Sequence, residues 1–185
     1  NPAFLIYPGL TTAAADLLHN FAPEEAEKLL PNMIAGVWAG TMCLTEPGAG
    51  TAVGDARTVA TPTGDGKTYK IEGTKLFISG GDQDFTENII HLVLAKTPDA
   101  PAGAKGLSLF IVPKIRIDEN GGLTEPNDVE CGSIEHKMGM HGCSTCLLNF
   151  GTNDDCVGTI IGNEGDGIRI MFHMMNEARN AVGVQ

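Results

Sequence analysis

The stretch Arg57-Thr58-Val59-Ala60-Thr61, Thr63-Gly64-Asp65-Gly66, Lys67-Thr68-Tyr69-Lys70-Ile71-Glu72 decides the fold class. Two β-type runs flank a turn that carries Asp-Gly, and Asp-Gly between such runs is a strong hairpin signal. Outward from this hairpin the texture stays the same. Gly73-Thr74 leads into a run from Lys75 to Ser79. Asn88 to Lys96 is a continuous apolar run and reads as a central strand. Leu107 to Val112 is another, stopped by Pro113, and Glu130–Ile134 and Ser144–Phe150 complete the set. Strands at this spacing without intervening helices predict a mainly β domain, a barrel or sandwich, over residues 36–162. Residues 98–103 and 118–128 read as loops.

Helical patterns lie only at the two flanks. A helical stretch is predicted over Thr11–Leu30, with Pro23-Glu24-Glu25 opening a new turn and Pro31 ending it. It reads as the end of a helical domain, residues 1–35. After Gly165-Asp166-Gly167, apolar residues at 168, 171, 172 and 175 predict a helix that opens a third segment, residues 163–185. The abrupt start and finish of the chain suggest a piece of a longer protein.

Composition removes several functions. Twelve Lys+Arg against 23 Asp+Glu give a net charge of −11 over 185 residues, the opposite of a nucleic-acid footprint. With 42% hydrophobic and 19% charged residues the chain is globular. No run of ~18 apolar residues predicts a membrane span, and no signal peptide is seen, so an intracellular, cytoplasmic setting is expected. The five cysteines then read as reduced thiols. Cys131, His136, His141, Cys143 and Cys146 raise a zinc reading. A single Cys-x-x-Cys on a strand points its thiols to opposite faces, so core packing and no metal are expected.

The segment with most chemistry is Met42-Cys43-Leu44-Thr45-Glu46-Pro47-Gly48-Ala49-Gly50-Thr51. A strand breaks into a Gly/Pro turn with two hydroxyls nearby, which suits a polar cradle and equally a plain tight turn. Its wording resembles the acyl-CoA dehydrogenase family, whose central β domain carries Thr-Glu-Pro-x-Ala-Gly-Ser-Asp. Here Thr51 replaces the Ser and Ala52 the Asp. A second family motif, Lys-x-Trp-Ile-Thr-Asn, is matched by Lys75-Leu76-Phe77-Ile78-Ser79-Gly80. A Lys-x-Gly-x-Arg-Gly-Ser run is matched by Lys137-Met138-Gly139-Met140-His141-Gly142-Cys143, and Glu-Gly-x-Gly by Glu164 to Gly167. The elements keep the family's order. The words around Ser133-Ile134-Glu135-His136 resemble an enlarged-subunit branch that includes methylmercaptopropionyl-CoA dehydrogenases.

The resemblance implies FAD as cofactor and α,β-dehydrogenation of an acyl-CoA thioester, with electrons passed to an electron-transfer flavoprotein. It implies a homodimeric or homotetrameric parent of which this chain is a fragment. An acyl-CoA oxidase of the same superfamily, or a β-barrel binding module without catalysis, are the alternatives. By the resemblance, Met42, Leu44, Thr45, Gly50, Thr51, Phe77, Ile78 and Ser79 hold the flavin. Phe77 packs on the ring and the Ser79 hydroxyl faces flavin N5, where an oriented donor suits the atom that receives hydride. Thr51 also reaches the CoA portion of the substrate. Asn176 and Arg179, i and i+3 on the last helix, stand near the substrate tail. No catalytic base is assigned. The position that some members use is Ala178, and Glu177 is one residue off, a turn of ~100° on a helix.

Overall fold

The computed structural model describes residues 2–184. Three helices, α1 (Pro2–Phe21), α2 (Pro23–Ile34) and α3 (Gly167–Val184), accompany ten strands. The strands are β1 (Trp38–Cys43), β2 (Val59–Pro62), β3 (Thr68–Ser79), β4 (Asn88–Lys96), β5 (Leu107–Pro113), β6 (Ile115–Ile117), β7 (Leu123–Pro126), β8 (Val129–Ile134), β9 (Thr145–Phe150) and β10 (Val157–Ile161).

The hairpin signal is realised as β2 antiparallel to β3, with Thr61 opposite Lys70. Its turn is fixed by Asp65, whose carboxylate accepts from the backbone N–H of Lys67 at 2.9 Å and of Thr68 at 2.7 Å. The main sheet runs β1-β4-β5-β10-β3-β9-β8, and β2 pairs with both β3 and β4. The strands β4, β5, β10, β3 and β2 therefore close into a ring. Closure at β2–β4 rests on one residue pair, Val59 with Lys96, and on the Lys96 N–H donating to Thr58 O at 2.9 Å. Such closure leaves no free edge at that point.

The apolar run of β4 is explained by its two partners. Ile90, Leu92 and Leu94 join Leu107, Leu109 and Ile111 of β5 in a core that α1, α2 and α3 cover. Val93 and Ala95 face the barrel interior with Ile71, Ile78, Phe110, Leu148 and Phe150. Helix α1 lies close on β1. Thr11 Oγ1 accepts from the Gly40 N–H at 3.1 Å, and a Cβ on Gly40 would stand 2.6 Å from Ala14 Cβ.

Four expectations change. The first helix begins at Pro2, not Thr11, and its 20 residues make it no short piece. Its buried residues are Ala3, Tyr7, Thr11, Ala13, Ala14, Leu17 and Leu18, and those before Leu17 are mostly small or polar and carry little apolar signal. Pro31 does not end α2, which continues to Ile34, because Met33 is buried in the core and the Ala35 N–H still reaches Pro31 O at 3.1 Å. The 118–128 segment is not all loop. Strand β7 lies within it and pairs antiparallel with β6, the two joined by an Asp118 turn that takes the N–H groups of Asn120 and Gly122. Strand β10, not predicted as a strand, bridges β5 and β3 in the ring. The outer bounds of the flanking segments, Asn1 and Gln185, lie outside the described residues.

Candidate flavin-facing site

Strand β1 stays in parallel register with β4 as far as Cys43–Val93. From Leu44 the chain leaves β4 and enters the turn Glu46-Pro47-Gly48-Ala49. Ala49 N–H donates to Glu46 O at 3.0 Å, and Gly48 sits at φ 81°. Pro second and a positive-φ residue third make a type II turn, which is why the position after Pro47 takes glycine. The β3 segment carrying Lys75 to Ser79 lies beside this exit. Leu76 N–H donates to Thr45 O at 2.8 Å, so the two sequence motifs are neighbours.

Strand β3 carries a bulge here. Its pairing with β9 slips between Lys75 and Ile78, and Phe77 sits at φ 59°. An aromatic residue in the left-handed region costs on the order of 1–3 kcal/mol and persists only where its surroundings over-determine it. The bulge turns Ile78 into the barrel core at 2% exposure and throws Phe77 outward at 58%. Bulges of this kind re-aim a side chain. Ser79 follows, half-buried and paired with Thr145. Among the described residues, the hydroxyls of Thr45, Thr51 and Ser79 make no hydrogen bond.

The sequence-predicted residues sort as follows. The bond from Leu76 N–H to Thr45 O sets Thr45 beside the strand segment that carries Phe77 and Ser79. Met42 and Leu44 are half-buried and pack against the helix-covered core. Gly50 and Thr51 stand exposed beyond the turn. The Ile78 side chain belongs to the barrel interior, so only its backbone faces the site. Arg179 donates to Asn176 Oδ1 at 2.9 Å on the exposed side of α3. No hydrogen bond or ion pair joins that couple to residues 42–51 or 75–79 among the described residues. Glu177 faces a shallow groove toward Gly9, Thr12 and Asp16 of α1.

Sequence reading gave no role to Glu46 and Lys75, although both stand in the quoted motifs. They form a buried ion pair, Nζ to Oε1 2.7 Å, with side chains 0% and 3% exposed. Lys75 also donates to Leu44 O at 3.1 Å and to Leu94 O at 2.6 Å. Glu46 accepts from the Arg57 N–H at 2.5 Å and the Thr58 hydroxyl at 2.5 Å. Burial alone would raise the Glu46 pKa, but the Lys75 charge and these donors hold it below its ordinary value. Burial pulls the Lys75 ammonium below its ordinary range, with Glu46 opposing. The signal available beforehand was a Lys and a Glu inside two runs that otherwise build core.

The cysteines are five unpaired thiols in different surroundings. Cys143 packs on Ala3 and Tyr7, whereas Cys43, Cys146 and Cys156 lie in the barrel core. Among the described residues no cluster of three His, Cys, Asp or Glu side chains is arranged to hold a metal ion, and no helix is long and apolar enough to cross a membrane.

A sequence profile of the acyl-CoA dehydrogenase middle domain matches residues 41–152. The chain is 48% identical over 189 residues to a butyryl-CoA dehydrogenase of Syntrophomonas wolfei subsp. wolfei, with 99% of this chain and 31% of the relative covered. It is 46% identical over 185 residues to the 3-methylmercaptopropionyl-CoA dehydrogenase of Ruegeria pomeroyi, with the same 99% and 31% coverage. The solved Bacillus anthracis acyl-CoA dehydrogenase complexed with FAD superimposes with a TM-score of 0.66 at 28% identity, over 87% of this chain and 24% of that one. The chain spans about a third of the length of the curated relatives it matches, 31% in both cases. A profile match over more than half the chain, laid on this barrel and its paired motifs, shows that the chain belongs to the acyl-CoA dehydrogenase family.

Proposed function

We propose that this chain is the central part of a FAD-dependent acyl-CoA dehydrogenase that desaturates an acyl-CoA thioester between Cα and Cβ. Residues 36–162 are its β domain. Residues 1–35 end one helical domain and residues 163–185 begin another. The observation that carries the reading is the outward, strained Phe77 beside hydroxyls that no protein group satisfies. An aromatic face flanked by free donors fits a planar ring with polar edges. The names of the relatives support the substrate class, and the FAD complex of the solved relative supports the cofactor.

Bound FAD supplies the hydride acceptor. This chain's own part is to seat it. Phe77 offers the packing face, Thr45 and Ser79 offer hydroxyl donors at its edge, and the 48–51 turn brings the Thr51 hydroxyl toward the CoA ester. Asn176 and Arg179 serve the CoA portion from α3. The α-proton leaves to a base that residues 2–184 do not provide at the expected helix position. An electron-transfer flavoprotein takes the electrons. The parent is a cytoplasmic homodimer or homotetramer.

The test is anaerobic stopped-flow reduction of the full-length, FAD-containing protein by butyryl-CoA. Ser79→Ala slows flavin reduction by on the order of 1–3 kcal/mol in the barrier, the cost of one oriented donor. Thr51→Ala mainly raises the butyryl-CoA concentration needed for half-saturation. An unchanged reduction rate in Ser79→Ala removes the role given to that hydroxyl.

A further inference from the structure

The Lys75–Glu46 pair lies where few backbone bonds hold the barrel wall. Beyond Cys43 the β1 exit has no ladder with β4. Across to β3 the bond from Leu76 N–H to Thr45 O is the backbone link. Lys75 Nζ brackets Thr45 from both sides. It donates to the carbonyl of the residue before, Leu44, and to the carboxylate of the residue after, Glu46, and its third proton goes to Leu94 O on β4. All three ammonium donors are used. Glu46 in turn takes the N–H groups of Arg57 and Thr58 and the Thr58 hydroxyl, tying in the entry to β2. The network therefore joins the β1 exit, β2, β3 and β4 at one point.

The same pair stands at one end of the strained bulge. Lys75 is fixed by its three acceptors, and Ile78 is fixed by core burial and by pairing with Cys146. Phe77 is held at positive φ between these two anchors. A buried ion pair is poor value for stability, since an apolar pair of similar volume commonly does as well or better. What an apolar pair lacks is direction. It would fill the space without setting the angle of Thr45 against the bulge.

Resting on the function proposed above, we infer that Lys75 and Glu46 are the positioning residues of the flavin seat. They set the register between the Thr45 hydroxyl and the Phe77–Ser79 segment, and so govern flavin affinity and environment without touching the ring.

The experiment uses the full-length protein, stripped of FAD and retitrated with FAD, with the visible circular dichroism of the bound flavin as second readout. The variants are Glu46→Gln, which keeps the shape but removes the charge and turns one of the two acceptor oxygens into a donor, and Lys75→Met/Glu46→Gln, which removes both charges. Phe150→Leu, in the barrel core, is the control for general loss of stability. Both test variants are expected to weaken FAD binding by on the order of tenfold or more, as loss of a supporting shell does elsewhere, and to alter the flavin dichroism. At a matched fall in melting temperature, Phe150→Leu leaves both readouts near wild type. A dissociation constant within about threefold of wild type, or one matched by Phe150→Leu, overturns the inference alone. A Glu46→Gln protein that does not fold makes the pair a stability element and also overturns it. A wild-type protein that takes up no FAD overturns the reading of the site beneath it.

Discussion

His91 shows how a single residue can govern acid sensitivity. It sits on β4, fully buried, with Nδ1 2.7 Å from Thr41 Oγ1 and no partner for Nε2. Burial, with the Lys114 charge adding and Asp82 opposing, lowers its pKa from 6.5 to about 3. The folded protein thus keeps His91 neutral where the unfolded chain protonates it. Because the folded pKa is depressed, this contribution is present above pH 6.5 and is lost as pH falls toward 3, by up to about 1.4 kcal/mol per unit. Wild type should therefore lose about 2 kcal/mol more than His91→Gln between pH 6.5 and 5, measured by urea unfolding at each pH. Equal losses would show that His91 is not the group responsible. The unpartnered Nε2 was invisible in sequence, since a His in an apolar run does not say whether its nitrogens find partners. Phe77 was singled out in sequence only through the family resemblance. Its positive φ was not, because the bulge arises from the pairing of β3 with β9 rather than from any local turn residue.

Among the elements, the strands with strong signals were read correctly and those with weak ones were not. Asn88–Lys96 announced itself because both of its faces are buried, one under helices and one in the barrel. The Asp65 turn announced itself by chemistry. Strand β10 is only five residues, with a glycine and a threonine between Val157 and Ile160, and borrows its place from β5 and β3, so tertiary pairing decides it. The start of α1 was missed because its buried residues before Leu17 are Ala3, Tyr7, Thr11, Ala13 and Ala14, most of them small or polar. That choice has a physical reason in the next layer, where α1 lies directly on β1. Gly40 lets the two approach, and a Cβ there would meet Ala14 Cβ at 2.6 Å and Thr11 Cα at 3.3 Å. The second contact is backbone and does not rotate away. Gly40→Ala should therefore destabilise the fold by about 1–3 kcal/mol, an overpacking cost, read as a lower urea midpoint with an unchanged slope. A neutral outcome would mean that α1 slides on β1 more easily than the Thr11–Gly40 bond suggests.

Taken whole, the molecule presents its candidate site as a surface rather than a pocket. Phe77 projects outward, and Thr45 and Ser79 are half-buried. Further apolar side chains are exposed on α1 (Phe4, Leu5), on α3 (Phe172, Val182) and along residues 134–140 (Ile134, Met138, Met140). Exposed apolar groups on several faces suit contact with further protein. The seat proposed above would cover one side of a flavin, and a ring held on one side stays in water, where oriented donors act in high dielectric and lose most of their force. Glu177, one residue from the expected base position, faces the groove beside α1. Residues 1–185 produced alone should therefore bind FAD weakly and turn over no acyl-CoA, while the full-length protein purifies yellow and reduces an electron acceptor when given butyryl-CoA. Equilibrium dialysis with FAD and a dye-reduction assay on both proteins decide the matter. Robust turnover by residues 1–185 would mean that the chain carries its own base and its own cover for the ring, and the reading of it as one part of a larger active site would fall.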